Sequence, residues 1–336
     1  MRLPPRRAAR CTAPASALSA SLRFLGGYHG RPMIQPSQPE LSRVERMALA
    51  LGRWTNERPL PKKAQWLFLN AVSRTWVRGV VARRTYVHGV EALCTLEPDR
   101  GVLLVANHRS FFDQYIAVLG LLDSGVPWIR ALSFPVRANF FYERPAGVLI
   151  NLLVGGGVMY PPIFRDAPRS ELNRDALRRV VDFLRTPGHL AGMHPEGRRN
   201  KGPDPYSMLR AQPGVGEVIL RARPLVVPLF IGGLGNDFLA QARRNFQSDA
   251  RRSEPVILCF GPLLDYSEFT RERPRLTLYK RVADRAREEI LRLGETERRL
   301  RSMARAGTLP DDDPGWLLER LRARRRGAVS PPCDAP

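Results

Sequence analysis

Lysine is nearly missing from a strongly basic chain. Of 54 basic residues only four are lysine (Lys62, Lys63, Lys201 and Lys280), and the formal net charge is +22. The skew toward arginine carries no chemical reading by itself, but the excess charge does: a basic body seeks phosphate, nucleic acid or an acidic membrane surface. Residues 1–39 hold six arginines and no acid, and residues 319–336 hold five arginines against two acids. Cysteine is scarce as well. Cys11, Cys94, Cys259 and Cys333 are scattered without paired spacing, which argues against a disulfide framework and against a cysteine-based zinc site. Long apolar runs are also missing. The longest uncharged stretch, residues 145–164, is broken by Gly155-Gly156-Gly157 and by Pro161-Pro162, so it reads as a short core helix, a turn and a strand rather than a membrane span. A surface pressed into lipid is the alternative. No Gly-x-x-x-x-Gly-Lys loop is present, which argues against a nucleotide triphosphatase, and the absence of a Gly-x-Ser-x-Gly elbow fits chemistry without an acyl-enzyme.

What is present is an alternation of strand and helix. Residues 1–39, rich in Arg, Ala, Ser and Pro, read as a disordered or targeting segment outside the fold. Helices are expected over 41–54 and 64–83, and residues 40–84 form an N-terminal helical region. In the second helix Trp66, Leu69, Val72, Trp76 and Val80 fall on one stripe, with Arg74, Arg78, Arg83 and Arg84 off it. Such a stripe suits packing on the domain or an interfacial membrane contact. Beyond residue 85, strands are expected at 101–106, 128–134, 157–164, 189–194, 225–231 and 255–260. Helices fall between them, clearest over 170–186, where Ser170 is a plausible N-cap, and over 275–303. This pattern predicts an α/β fold: a mixed, largely parallel central sheet flanked by helices, spanning 85–305, with a basic tail over 306–336 and disordered ends.

In open α/β sheets ligands gather outside the carboxyl ends of the strands. Three polar stretches stand at such ends: NHRSFFD (107–113), FRD (164–166) and HPEGRRN (194–200). His108 is the side chain best suited to move protons near neutral pH, and Asp113, one turn on, is placed to orient it. Arg165, Arg198 and Arg199 add guanidinium groups that recognise phosphate, and the Pro195-Glu196-Gly197 turn lets backbone N–H groups approach an anion.

These residues, in this order, resemble the lysophosphatidate/glycerol-3-phosphate acyltransferase superfamily. The matching motifs are Asn107-His108 with Asp113, Phe164-Arg165, Pro195-Glu196-Gly197 and Val227-Pro228, over roughly residues 85–265. In the third motif His194, Arg198 and Asn200 stand where the family carries Phe, Thr and Ser, while Arg199 keeps the arginine. The resemblance implies an O-acyltransferase acting in phospholipid synthesis or remodelling. His108 would be the base and Asp113 its orienter; Asn107, Arg165, Glu196, Gly197 and Arg199 would bind substrate. It implies no metal and no cofactor, an acyl-CoA or acyl-carrier-protein co-substrate, and a lysophospholipid or glycerol-phosphate acceptor. The expected location is the cytoplasmic face of an anionic membrane, with no nucleic-acid partner. The alternatives are an inactive lipid- or nucleic-acid-binding protein, a hydrolase using Ser110, and a metal site built from His108, Asp113, His194 and Glu196.

Overall fold

The computed structural model describes residues 41–164 and 170–326. The expectations for residues 1–39, for Arg165 and for the last ten residues lie outside that range. In chain order the elements are α1 (Arg43–Glu57), α2 (Pro59–Phe68), α3 (Arg74–Val81), β1 (Thr85–His88), α4 (Glu91–Cys94), β2 (Val102–Ala106), α5 (Asp113–Ser124), β3 (Ala131–Ser133), β4 (Val136–Arg137), α6 (Ala138–Phe141), α7 (Pro145–Gly155) and β5 (Pro162–Ile163). They continue with α8 (Ser170–Phe183), β6 (His189–Met193), α9 (Pro213–Ala222), β7 (Leu225–Gly232), α10 (Phe238–Asn245), α11 (Ala250–Ser253), β8 (Val256–Phe260), α12 (Leu276–Ala306) and α13 (Leu317–Arg325).

The central sheet has the order β1-β8-β7-β2-β6-β3. β7, β2, β6 and β3 are mutually parallel, β8 runs antiparallel to β7, and β1 is parallel to β8. The mixed, largely parallel sheet is therefore as the pattern predicts. β2, VLLVA, is buried along its whole length, as a strand covered by helices on both faces should be. It pairs with β6 on one side and β7 on the other, in a register that sets Val105 opposite both Met193 and Pro228. The carboxyl ends of the three strands are thus level. The chain leaves β2 and β6 to opposite sides, and that is where a cleft forms in such sheets. β4 and β5 make a separate parallel pair, so only residues 162–163 of the expected strand at 157–164 are extended. Residues 156 and 157 turn instead, both with left-handed glycine backbones that close α7.

Local signals account for several helix ends. Ser42 and Glu45 form a reciprocal capping box at the start of α1. α5 starts at Asp113 and stops at Gly125, which takes the left-handed conformation that glycine tolerates.

One alternative is decided and one expectation is corrected. Of the two readings of the Trp66–Val80 stripe, packing on the domain holds for every member but the exposed Val72. Leu69 is buried, and Trp66, Trp76 and Val80 pack against the core, with Trp76 against the rings of Tyr115 and Phe238. Three of the four arginines beside the stripe are also engaged. Arg74 and Arg78 both bind the fully buried carboxylate of Asp123 on α5, while Arg84 is itself buried and donates to Gln241 and to the Glu254 carbonyl. An amphipathic helix looks the same in sequence whether its apolar face meets protein or lipid, and here Trp76 meets α5 and α10. The correction concerns the C-terminal region. Through residue 326 it is folded rather than a free basic tail. Leu309, Trp316 and Leu317 are buried, Gly315 accepts a backbone bond from Val87, and Trp316 bridges to Tyr86 beside β1. Burying an aromatic of this size is a large apolar gain, and it covers the β1 edge of the sheet.

Candidate active site

The loop after β2 brings His108 and Asp113 together. Asp113 lies in the first turn of α5 and is buried. Its Oδ2 accepts the backbone N–H groups of Arg109 (2.8 Å) and Ser110 (2.9 Å) and faces His108 Nδ1 at 2.9 Å. Three donors on one oxygen fix the carboxylate, and the carboxylate fixes the ring, leaving Nε2 of His108 for a substrate. Burial, with the nearby Arg199 guanidinium adding to it, lowers the His108 pKa to about 4. Burial also raises Asp113 to about 6, against the opposing pull of the two amides. A low-dielectric site disfavours both charges, so His108 rests as the neutral imidazole, the form that accepts a proton.

Two residues expected to touch substrate are committed to the scaffold instead. Asn107 is buried, and its side-chain amide both donates to the Ile231 carbonyl (2.9 Å) and accepts the Ile231 N–H (2.7 Å). It continues the β2–β7 ladder with a side chain. Glu196 is buried, and its two oxygens accept the N–H groups of His108 and Leu209, each at 2.8 Å. Burial raises its pKa against these two amides. It ties the loop after β6 to the backbone of the base. The tie is doubled where Asn200 N–H donates to the His108 carbonyl at 2.7 Å.

Gly197 sits at the exposed tip of the turn with φ 64°, a conformation a side chain would strain. Arg199 donates to Asn236 Oδ1 at 2.8 Å. Asn236 also accepts the Phe111 N–H, so the segment after β7 forms part of the same cleft. No single-sequence signal marks Asn236, because the stretch that holds it, LGND, reads as an ordinary turn. Arg198 is exposed.

Ser110 is fully buried and donates to the Gly235 carbonyl at 2.7 Å. Its hydroxyl does not meet the His108 ring, so the Ser-His-Asp hydrolase reading has no geometry behind it. His194 lies against His108 with ring centroids 3.9 Å apart and planes within 7°. One donor atom each from His108, Asp113 and His194 lies within 4.8 Å of the others. Two stacked parallel imidazoles, however, aim their in-plane lone pairs alongside each other rather than at one point, whereas zinc and similar ions need convergent ligands at about 2.0–2.1 Å. The donor set does not fit a metal. Glu196, the fourth ligand considered, is already held by two amides.

Apolar residues flank the cleft. Phe111 packs against Phe140 and Phe141, and Phe112 against Phe238. Behind Gln114 and Tyr115 a small apolar cavity runs between α5 and the α2–α3 helical stretch.

Residues 84–232 match the family model described as Acyltransferase. No curated protein matches the chain in sequence. Among solved structures, the chain is similar to the crystal structure of the 1-acyl-sn-glycerophosphate (LPA) acyltransferase, PlsC, from Thermotoga maritima. The identity is 17%, 74% of this chain and 88% of that one are covered, and the TM-score is 0.41.

Proposed function

We propose that this chain, whose residues 84–232 belong to the acyltransferase family, moves a fatty acyl group from an acyl-CoA or acyl-carrier-protein thioester to a hydroxyl of a lysophospholipid or glycerol phosphate. The observation that carries this reading is the 2.9 Å contact between His108 Nδ1 and Asp113 at the carboxyl end of β2. It stands inside the matched segment and at the spacing of the sequence motif.

In the first step His108 Nε2 takes the proton of the acceptor hydroxyl as that oxygen attacks the thioester carbonyl carbon. Asp113 stabilises the imidazolium. The C–S bond then breaks, the thiolate leaves, and the proton passes from Nε2 to sulfur. No acyl-enzyme is needed. A positioned base of this kind contributes about 10²–10⁴ in rate.

The acceptor phosphate is assigned to Arg165 and Arg199. Arg199 supports this by lying near enough to His108 to depress its basicity, and Arg165 by its motif position. Arg165→Ala should raise the acceptor KM by about 10-fold or more, the value of a lost charged contact, with kcat moving less. Arg165→Lys should recover part of that, since a point charge cannot make the bidentate contact. The measurement is steady-state kinetics against matched acceptors with and without phosphate. A variant whose thioester KM rises while its acceptor KM stays fixed would sink the assignment, as would a wild-type preference for phosphate-free alcohols.

A lipid acceptor requires access to a membrane, taken here as the cytoplasmic face of an anionic bilayer. No helix among the described residues is long and apolar enough to cross one. What supports surface contact is a set of exposed apolar side chains on two adjoining helical segments. Leu60, Leu67 and Val72 lie on the stretch from α2 to α3, and Leu149, Ile150 and Leu153 lie on α7. The two segments are joined by bonds from Ser73 to the Val154 carbonyl and from Gln65 to the Gly156 carbonyl. Apolar side chains on a helix face bind an interface in proportion to the area they bury. Leu149→Gln with Leu153→Gln should therefore cut co-sedimentation with anionic vesicles while leaving the melting temperature in place. Undiminished binding would remove this face from consideration.

A further inference from the structure

We infer that His194 is a positioning residue of the transfer reaction, an uncharged imidazole whose face holds the plane of the His108 ring. The inference rests on the proposed role of His108 as base. His194 begins the loop after β6 and stands where the sequence motif carries phenylalanine. The metal reading gave it a function that its geometry does not support, and the acyl-transfer scheme leaves it without one.

Its own ring is held at both nitrogens. Nδ1 lies 2.9 Å from the Ala106 carbonyl, and Nε2 lies 2.7 Å from the side-chain amide nitrogen of Gln114. A carbonyl can only accept, so Nδ1 carries the proton. The Gln114 amide nitrogen can only donate, so Nε2 presents its lone pair. Both partners select the same neutral tautomer. A second proton on Nε2 would face the Gln114 N–H, and burial, together with the adjacent His108, lowers the His194 pKa to about 3. The proton taken from an acceptor therefore resides on His108.

The consequence for His108 is orientational. Its bond to Asp113 fixes one ring atom, but the ring can still swing about that bond. A parallel ring at 3.9 Å closes that freedom on one side. Gln114 follows Asp113 directly on α5, and Ala106 precedes Asn107-His108 at the end of β2. The two groups that clamp His194 thus come from the same two elements that deliver the catalytic pair, and a displacement of one carries the others with it. Misorientation of a reacting group is among the larger penalties available to a mutation outside the reacting atoms.

The test compares His194→Leu, which keeps volume but removes the flat face, with His194→Phe, which restores a face without the clamp. His194→Leu should lower kcat by about 10-fold or more with both KM values changed less than about 3-fold, and His194→Phe should recover most of that loss. A kcat for His194→Leu within about twofold of wild type overturns the proposal. So does a loss that lies in acceptor KM, or a His194→Phe variant as impaired as His194→Leu. If His194→Leu does not fold, His194→Met, which is unbranched and also lacks a flat face, carries the same test, with a fall in kcat at constant KM supporting the proposal and an unchanged kcat refuting it. A readout independent of turnover is the ¹⁵N spectrum of the imidazoles. In wild type and His194→Phe the proton of His108 should stay on Nδ1, and in His194→Leu its two nitrogens should approach an averaged signal. Identical His108 signals in all three proteins refute the positioning role even if no acyl transfer is ever observed. Absence of transfer by wild type, with the spectral change present, refutes only the assigned reaction.

Discussion

Replacing His108 with alanine should leave a folded protein whose acyl transfer has fallen by at least about 10²-fold. The ring is partly exposed and stacks on His194 without carrying the core, so the loss should be catalytic, with an unchanged melting profile. Asp113→Asn should be comparably severe. Oδ2 now accepts His108 Nδ1–H and two amides. An asparagine offers an amide N–H to at least one of these directions, or else rotates and gives up the amides. Either way the imidazole loses the partner that sets its tautomer and stabilises its cation. The readout is thiol release at saturating substrates, with circular dichroism as the check on folding. A folded His108→Ala protein turning over near the wild-type rate would remove the base from the mechanism.

Glu196→Ala should damage stability and activity together. Both carboxylate oxygens are committed to buried backbone N–H groups, those of His108 and Leu209. Two unsatisfied donors should cost about 2–4 kcal/mol of folding free energy. The His108 backbone, freed from one of its two ties to the loop after β6, should shift, and displacements of about 1 Å at a reacting group can cost about 10²-fold. Glu196→Gln should be milder, because its carbonyl can still serve one of the two amides. The checks are chemical denaturation and kcat on the same preparations. If Glu196→Ala melts like wild type and only its acceptor KM rises, Glu196 contacts substrate after all.

The sequence carried the parts of this site that are local. GVLLVA running into Asn107-His108 announces a buried strand with a polar end, and a carboxylate five residues on is within reach whichever way the following turn is made. The parallel sheet was legible for the same reason: strands buried on both faces are largely apolar runs, and β2, β6 and β7 are short ones with helices between. What could not be read are the partners far along the chain. Asn107 and Glu196 have the residue types of a binding site, and only the fold reveals that Ile231, 124 positions away, engages the first and that the amides of His108 and Leu209 engage the second. Trp316 lies in an arginine-rich stretch that resembles a tail by composition, yet it buries itself against Tyr86. The stripe of Trp66 and Trp76 had two physical solutions, protein or lipid, and periodicity does not distinguish them. Exposed apolar residues are Leu60, Leu67 and Val72 along the same helical stretch, and Leu149, Ile150 and Leu153 on α7, in the stretch read as a short core helix. His194 was visible as a departure from a motif, but its role depends on the stacking and on Gln114, and neither is encoded in local spacing.

The most direct test of acyl transfer from this site is a mass balance. The full chain is incubated with a labelled acyl-CoA, or the same acyl group on carrier protein, with and without a lysophospholipid or glycerol phosphate. Free thiol, free fatty acid and ester product are then measured together. Transfer through His108 gives one ester for each thiol released, requires the acceptor, and disappears in His108→Ala. Thiol release that proceeds equally without acceptor and yields free fatty acid would make the site a thioester hydrolase. No release with any pairing of donor and acceptor would leave the His108–Asp113 pair without the reaction assigned to it.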